Sequence, residues 1–305
     1  STPFAFGNNP TPDYPYGYWA GGKIPGSYTS QIDRVDYSND TPAATPKGFL
    51  PFGKSAQGAT GNASYGYFAS ARTGPVQGFS TVDRLDYSND IILTSTRGPL
   101  NNSIHYAAAV GNEYFGYVMG GSPGPVSTVD RINYANDTST TSPRGNLSLA
   151  KYTGGAAGNR NYGWWGGARD SGNYYSSTDR VTYTNDTVTA TPKGPLSASG
   201  QGVAATGNED FGYYMGGTPG RLSTVDRVDY SNDTATALQR SNMPDRYLMA
   251  GTGNQSHGYF GGGRTGGDQR HSSIFRIDYA NDTATASTKG PLVGAGGYGV
   301  AASSA

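Results

Sequence analysis

Apolar and polar residues alternate along this chain in short strings, of which Val82-Asp83-Arg84-Leu85-Asp86-Tyr87 is typical, and the strings stop at Gly, Asn, Asp or Pro. A period of two places successive side chains on opposite faces of a strand, whereas a helix would repeat its apolar positions every three or four residues over ten or more. No stretch does the latter. The third string set is the clearest and predicts four strands: 107–111, 115–121, 127–134 and 138–143. Between the last two, Ala135-Asn136-Asp137-Thr138 predicts a two-residue hairpin turn, since Asn and Asp tolerate the positive φ that such turns require.

The pattern recurs. IDRVDYSND (32–40), VDRLDYSND (82–90), VDRINYAND (129–137), TDRVTYTND (178–186), VDRVDYSND (225–233) and FRIDYAND (275–282) are one phrase written six times, its Arg falling at 34, 84, 131, 180, 227 and 276. The steps of 50, 47, 49, 47 and 49 residues fit a propeller or a solenoid. The chain ends decide between them. Unit one begins at its second strand, Tyr16 to Gly22, whereas the tail, Gly299-Val300-Ala301-Ala302-Ser303, matches the first strand of unit five, Gly202-Val203-Ala204-Ala205-Thr206. The tail therefore supplies the missing innermost strand and closes a ring, which removes the free sheet edge. The expected fold is all-β: a six-bladed β-propeller over 14–305 with four antiparallel strands per blade, preceded by a lead segment or linker over 1–13.

Composition agrees with short strands and tight turns: 47 Gly, 24 Tyr and 14% charged residues. The 22 basic and 22 acidic residues cancel without forming runs, which argues against a nucleic-acid partner. No apolar run approaches the roughly 20 residues of a membrane-spanning helix, so membrane insertion is not expected, and none reads as a signal peptide. Without Cys there are no disulfides, thiolate metal sites or cysteine nucleophiles. The His residues (His105, His257, His271) fall at non-equivalent places in their units, and neither a metal centre nor a cofactor is expected.

The glycine pairs Gly21-Gly22, Gly120-Gly121, Gly166-Gly167, Gly216-Gly217 and Gly261-Gly262, each with a Tyr in the next strand, resemble kelch repeats. The resemblance covers nearly the whole chain and implies the propeller; the Trp usual after that Tyr is replaced, and unit two carries Ala69-Ser70 for the pair. Phrases such as TKGPL and AATGN also resemble repeats in structural proteins of tailed phages of cyanobacteria and other marine bacteria, which implies a virion or extracellular setting with other structural proteins as partners.

Adjacent strand residues point to opposite faces, so Arg84, Arg131, Arg180 and Arg227 are expected to meet the Asp of the next unit's Asp-Arg pair (Asp83, Asp130, Asp179 and Asp226 being such residues), charge pairs that orient the blades. Phe275 replaces that Asp in unit six, so one junction should differ. The Asn-Asp-Thr triplets at Asn39, Asn136, Asn185, Asn232 and Asn281 read as turns rather than glycan sites. A site needs asymmetry on a symmetric scaffold, and the loop between the second and third strands varies most; it is long in units one, two, four and six. These loops carry Arg72, Arg169 and Arg264 with Tyr28, Phe79, Tyr174, Tyr175 and His271. Such residues engage sugar rings by stacking and acidic groups by bidentate hydrogen bonds; the competing role for each Arg is to pin its own loop. No catalytic residue is expected. The function anticipated is a non-enzymatic module displaying loops to a cell-surface glycan or a neighbouring protein, and the alternative is a secreted carbohydrate-active enzyme.

Overall fold

The computed structural model describes residues 15–74, 77–219, 223–294 and 297–304; the lead segment at 1–13 lies outside them. Six four-stranded antiparallel sheets surround a central channel, with no α-helix among the described residues. The third blade runs Ala108–Gly111, Phe115–Met119, Val129–Asn133 and Ser142–Pro143 from channel to rim. In the first blade the innermost strand is the tail, Ala301–Ser304, which pairs Gly17 with Ser304 and Ala20 with Ala301 along Tyr16–Ala20. The ring is closed as the terminal sequences predict.

Inner strands converge on the axis, and their small side chains follow from that crowding. Gly58, Ala108, Gly155, Ala204, Ala250 and Ala301 occupy equivalent places around a cavity of about 70 Å³. A Cβ on Gly251 would sit 2.4 Å from the carbonyl oxygen of Ala205 in the preceding blade. Apolar clusters fill the spaces between blades, each combining side chains of two neighbouring sheets.

Each junction also holds a repeated polar joint, and here the structure corrects the expected pairing. The Arg of the Asp-Arg phrase does cross to the next blade, but it meets the Asp that ends the turn there: Arg34 with Asp90, Arg84 with Asp137, Arg131 with Asp186, Arg180 with Asp233, Arg227 with Asp282 and Arg276 with Asp40, all at 2.7–2.8 Å. The Asp of the phrase faces the other way and is taken by the segment that leads into its own blade. Asp83 is bonded by Lys54, Asp130 by Asn101, Asp179 by Ser148 with Lys151 at 3.3 Å, Asp226 by Ser197, and Asp33 by the backbone N–H groups of Val293 and Gly294. That connecting segment enters from the Asp end of the strand and so reaches the carboxylate first. Phe275 consequently leaves the sixth Arg joint intact, because Arg276 needs Asp40 and not a neighbour of its own.

The turn itself differs from the expected two-residue hairpin. Tyr134–Asn136 and its counterparts in blades two, four, five and six form one turn of 3-10 helix, whereas Tyr37–Asn39 of blade one is a plain turn; Asn133 Oδ1 accepts from the Ala135 N–H, and Asp86, Asp229 and Asp278 cap the same way. The C-cap Asp residues keep negative φ, near −72° to −80°. A negative-φ 3-10 turn brings the Tyr inward, where it stacks on an aromatic ring of the preceding blade.

Candidate functional site

Loops between second and third strands and connections between blades share one end of the ring, as their mutual hydrogen bonds show, for example Ser55 with Arg72 and Lys54 with Thr29. At the channel mouth on this end, one residue from each connection adopts a left-handed conformation: Ala56, Tyr106, Thr153, Gly202, Leu248 and Gly299, with φ between 58° and 69°. Their backbones form a closed circle of hydrogen bonds. The Ala56 N–H donates to Gly299, Tyr106 to Ala56, Thr153 to Tyr106, Gly202 to Thr153, Leu248 to Gly202 and Gly299 to Leu248, at 2.6–3.0 Å. Each peptide both donates and accepts, so the left-handed strain at the four non-glycine positions is offset by satisfied polar groups. The cavity inside this circle measures about 60 Å³, far below the several hundred Å³ of a small-molecule pocket. A ligand binding here must sit on the mouth.

Around the mouth lie cations stacked on tyrosines. Structural alignment of the second strands places the left-handed pair at Gly167-Ala168 in blade four and Gly262-Gly263 in blade six, one residue later than the sequence pairs Gly166-Gly167 and Gly261-Gly262 suggest. The next residue is then Arg72, Arg169 and Arg264 in the even blades and Lys23 in blade one, whereas blades three and five have Ser122 and Thr218. The Arg264 guanidinium covers both Tyr247 (4.8 Å) and Tyr298 (4.5 Å), and Arg270 and Lys23 also approach the Tyr298 ring (5.4 and 5.6 Å). Arg72 covers Tyr106 at 4.5 Å, and Arg169 lies between Tyr152 and Tyr174 at 5.5 Å from each. Tyr106 stacks toward Tyr152 with centroids 6.4 Å apart. Burial raises the Tyr106 hydroxyl above its ordinary pKa, while Arg72 and Arg264 pull it down and Tyr298 and Tyr28 add to the rise. Groups from blades one, two and six thus share one electrostatic environment across the opening. His105, beside them, is buried, and burial followed by the charge of Arg72 holds its imidazole down at about 4, so that it is neutral at pH 7.

The predicted loop residues divide between mouth and scaffold. Arg72, Arg169, Arg264, Tyr28 and Tyr174 join the cation–tyrosine crescent, Tyr28 through Lys23 at 5.7 Å. Phe79 packs on Phe52 (5.3 Å), the Tyr175 hydroxyl donates to Asp170 (2.6 Å), and His271 Nε2 lies 3.2 Å from the Thr265 hydroxyl, each of them tied within or beside its own loop. The Arg residues also pin their loops: Arg169 Nε donates to the Asp170 carbonyl at 2.9 Å and Arg264 pairs with Asp268 at 3.0 Å. The hydrogen bond from Tyr175, with backbone N–H groups of Gly172 and Asn173, holds the Asp170 carboxyl well below the usual range. Lys23, Tyr106, Tyr152, Tyr247, Tyr298 and Arg270 were not legible as site residues. For Lys23 the signal was present, since it follows the glycine pair as the three Arg follow theirs once the pairs are aligned.

No protein-family profile matches the chain, and no curated protein sequence does. Among solved structures, that of YjhT is similar with a TM-score of 0.70 and 11% identity, covering 92% of this chain and 99% of that one. At this identity the likeness concerns the fold alone: the protein is a six-bladed β-propeller.

Proposed function

We propose that the protein is a non-enzymatic recognition and display module of an extracellular assembly such as a phage particle, and that it binds a cell-surface glycan, or an acidic segment of a neighbouring structural protein, at the channel mouth. The observation that carries this reading is the crescent of four cations, Lys23, Arg72, Arg169 and Arg264, laid over tyrosine faces on one end of a rigid ring. Guanidinium groups held by stacking lose little freedom on meeting a carboxylate or sulfate, and the exposed Tyr174 ring beside Arg169 suits the apolar face of a sugar. Rigid scaffolds with functional loops are the usual arrangement for such binding. The virion setting is supported by the wording of the repeats.

Calorimetric titration with acidic and neutral oligosaccharides tests the reading. Binding that prefers the acidic compounds, and that weakens at least tenfold in an Arg72→Ala/Arg264→Ala variant melting within a few degrees of the parent, is the expected result. Undiminished binding by that variant moves the site away from the mouth. Release of reducing sugar makes the protein an enzyme instead.

A further inference from the structure

The six junctions are alike on their outer rim except one. After the turn Asp, five units continue with residues that are small or polar apart from one Val: Thr41-Pro42-Ala43, Thr138-Ser139-Thr140, Thr187-Val188-Thr189, Thr234-Ala235-Thr236 and Thr283-Ala284-Thr285. Unit two has Ile91-Ile92-Leu93. The outer strand against which this segment lies is that of blade one, and it too departs from the repeat: Phe49 stands where the other units have Pro99, Asn146, Pro195, Asn242 and Pro291. The Thr94 N–H donates to the Phe49 carbonyl at 2.8 Å, which fixes the two departures side by side. All four side chains face solvent, with 48%, 69%, 49% and 58% of Phe49, Ile91, Ile92 and Leu93 exposed. Two sequence-distant replacements at the same spot make a contiguous apolar patch, unlike the single exposed Val188, Leu238 and Val293 elsewhere. Ile91 also removes the Asn-x-Thr triplet that the other five units carry, so this turn alone cannot accept an N-linked glycan.

We infer that this patch is a self-association surface on which a second copy of the chain docks about a two-fold axis. Charge is the first argument. The charges beneath the patch are turned inward, the Asp90 carboxylate being shared by Arg34 at 2.8 Å and Lys47 at 3.4 Å with all three side chains at least three-quarters buried, and the exposed neighbours Asn89, Ser95 and Thr96 are uncharged. An isologous contact sets each group against itself, so an uncharged surface meets its own copy without like-charge repulsion. Area is the second. The four side chains expose on the order of 400 Å², about half of the roughly 800 Å² that each partner gives to a standard interface. An apolar centre of that size inside a polar margin matches the anatomy of such an interface. The patch is on the rim, apart from the channel mouth, so the inference does not depend on the proposed ligand.

Sedimentation velocity between about 1 and 100 µM is the test, with melting temperature measured alongside. The parent chain should show a concentration-dependent dimer. A Phe49→Asn/Ile91→Thr/Ile92→Ala/Leu93→Thr variant, built from residues the other units use at these positions, should melt as the parent does and remain monomeric. A single Ile92→Glu change, which sets two carboxylates near the axis, should weaken the dimer at least tenfold. A parent chain that is monomeric throughout the range, including one whose patch binds only a different protein, overturns the inference. So does a dimer of the same affinity in both variants.

Discussion

One aspartate per junction does the work of a hub. Asp40 takes hydrogen bonds from the Tyr259 hydroxyl (2.9 Å) and Arg276 (2.7 Å) and an ion pair from Lys289 (3.1 Å) while its side chain is 6% exposed. Burial by itself would raise its carboxyl pKa, but the hydrogen bonds from Lys289 and Tyr259 and the charges of Arg276 and Lys289 outweigh burial and leave it below the ordinary value. A carboxyl depressed in the folded state binds its proton more readily when unfolded, so its contribution is complete above the unfolded pKa, near 4, and is lost as pH falls through the folded value. Asp40→Asn should therefore be destabilising at pH 7, and the difference from the parent chain should shrink steadily below pH 4. Urea unfolding at pH 7, 4 and 3 measures it. A difference independent of pH would mean that shape, and not charge, is what Asp40 contributes.

Between elements, the hub arrangement predicts an asymmetry that a simple Arg–Asp pair does not. Asp186 accepts from Arg131 and Tyr117, each at 2.8 Å, with Arg144 at 3.4 Å. Removing Arg131 leaves Asp186 with two partners, whereas removing Asp186 leaves two cations and a buried hydroxyl without an acceptor. Arg131→Ala should cost about 1 to 2 kcal/mol, while Asp186→Ala should approach the roughly 3 to 5 kcal/mol of a broken buried joint. Thermal melts of the two variants give the order, and equal losses would sink the hub. This joint was only half legible in the sequence. Alternation on the third strand shows that Arg131 must leave by one face and Asp130 by the other, but which carboxylate waits across the junction depends on how the turn is wound. The letters Tyr-Ala-Asn-Asp are compatible with a hairpin; their 3-10 winding, capped by Asn133, becomes visible only in three dimensions. The three inner strands of each blade, the blade count and the pairing of the tail were legible because repetition writes each element six times, whereas the outer strand expected over 138–143 is only Ser142–Pro143, the turn taking up the residues before it. At the mouth, Arg72, Arg169 and Arg264 were legible from their loops, but Tyr106 and Tyr298 were not. Their placement beneath the guanidinium groups at the opening follows from the left-handed turn preceding each inner strand, a conformation that Tyr106, Thr153 and Leu248 give no compositional sign of adopting.

For the whole molecule, closure concentrates at the tail. Ala301–Ser304 covers the edge of Tyr16–Ala20, Val300 and Ala302 fill the apolar cluster shared by the last and first blades, and Gly299 is one link of the hydrogen-bonded circle at the mouth. The Ser304 hydroxyl bonds across the junction to Thr252 and to the Gly253 carbonyl, and lies 3.2 Å from the Tyr37 hydroxyl. Deleting residues 299–305 would open the circle, uncover one strand edge beside the channel and leave Trp19 and Tyr259 against a void. A propeller whose blades are otherwise bonded only to their neighbours then loses the constraint that makes the ring unfold as one body. The truncated chain should melt at least 10 °C lower and over a broader range, and the bare edge should drive association on heating. Scanning calorimetry with light scattering reads both effects. Adding back a peptide of the deleted sequence should restore a single sharp transition in proportion to its concentration, because a segment that binds only the folded ring stabilises it by mass action. A truncated chain that keeps the parent's transition would mean that the five intact blades and the inter-blade joints hold the ring without its last strand.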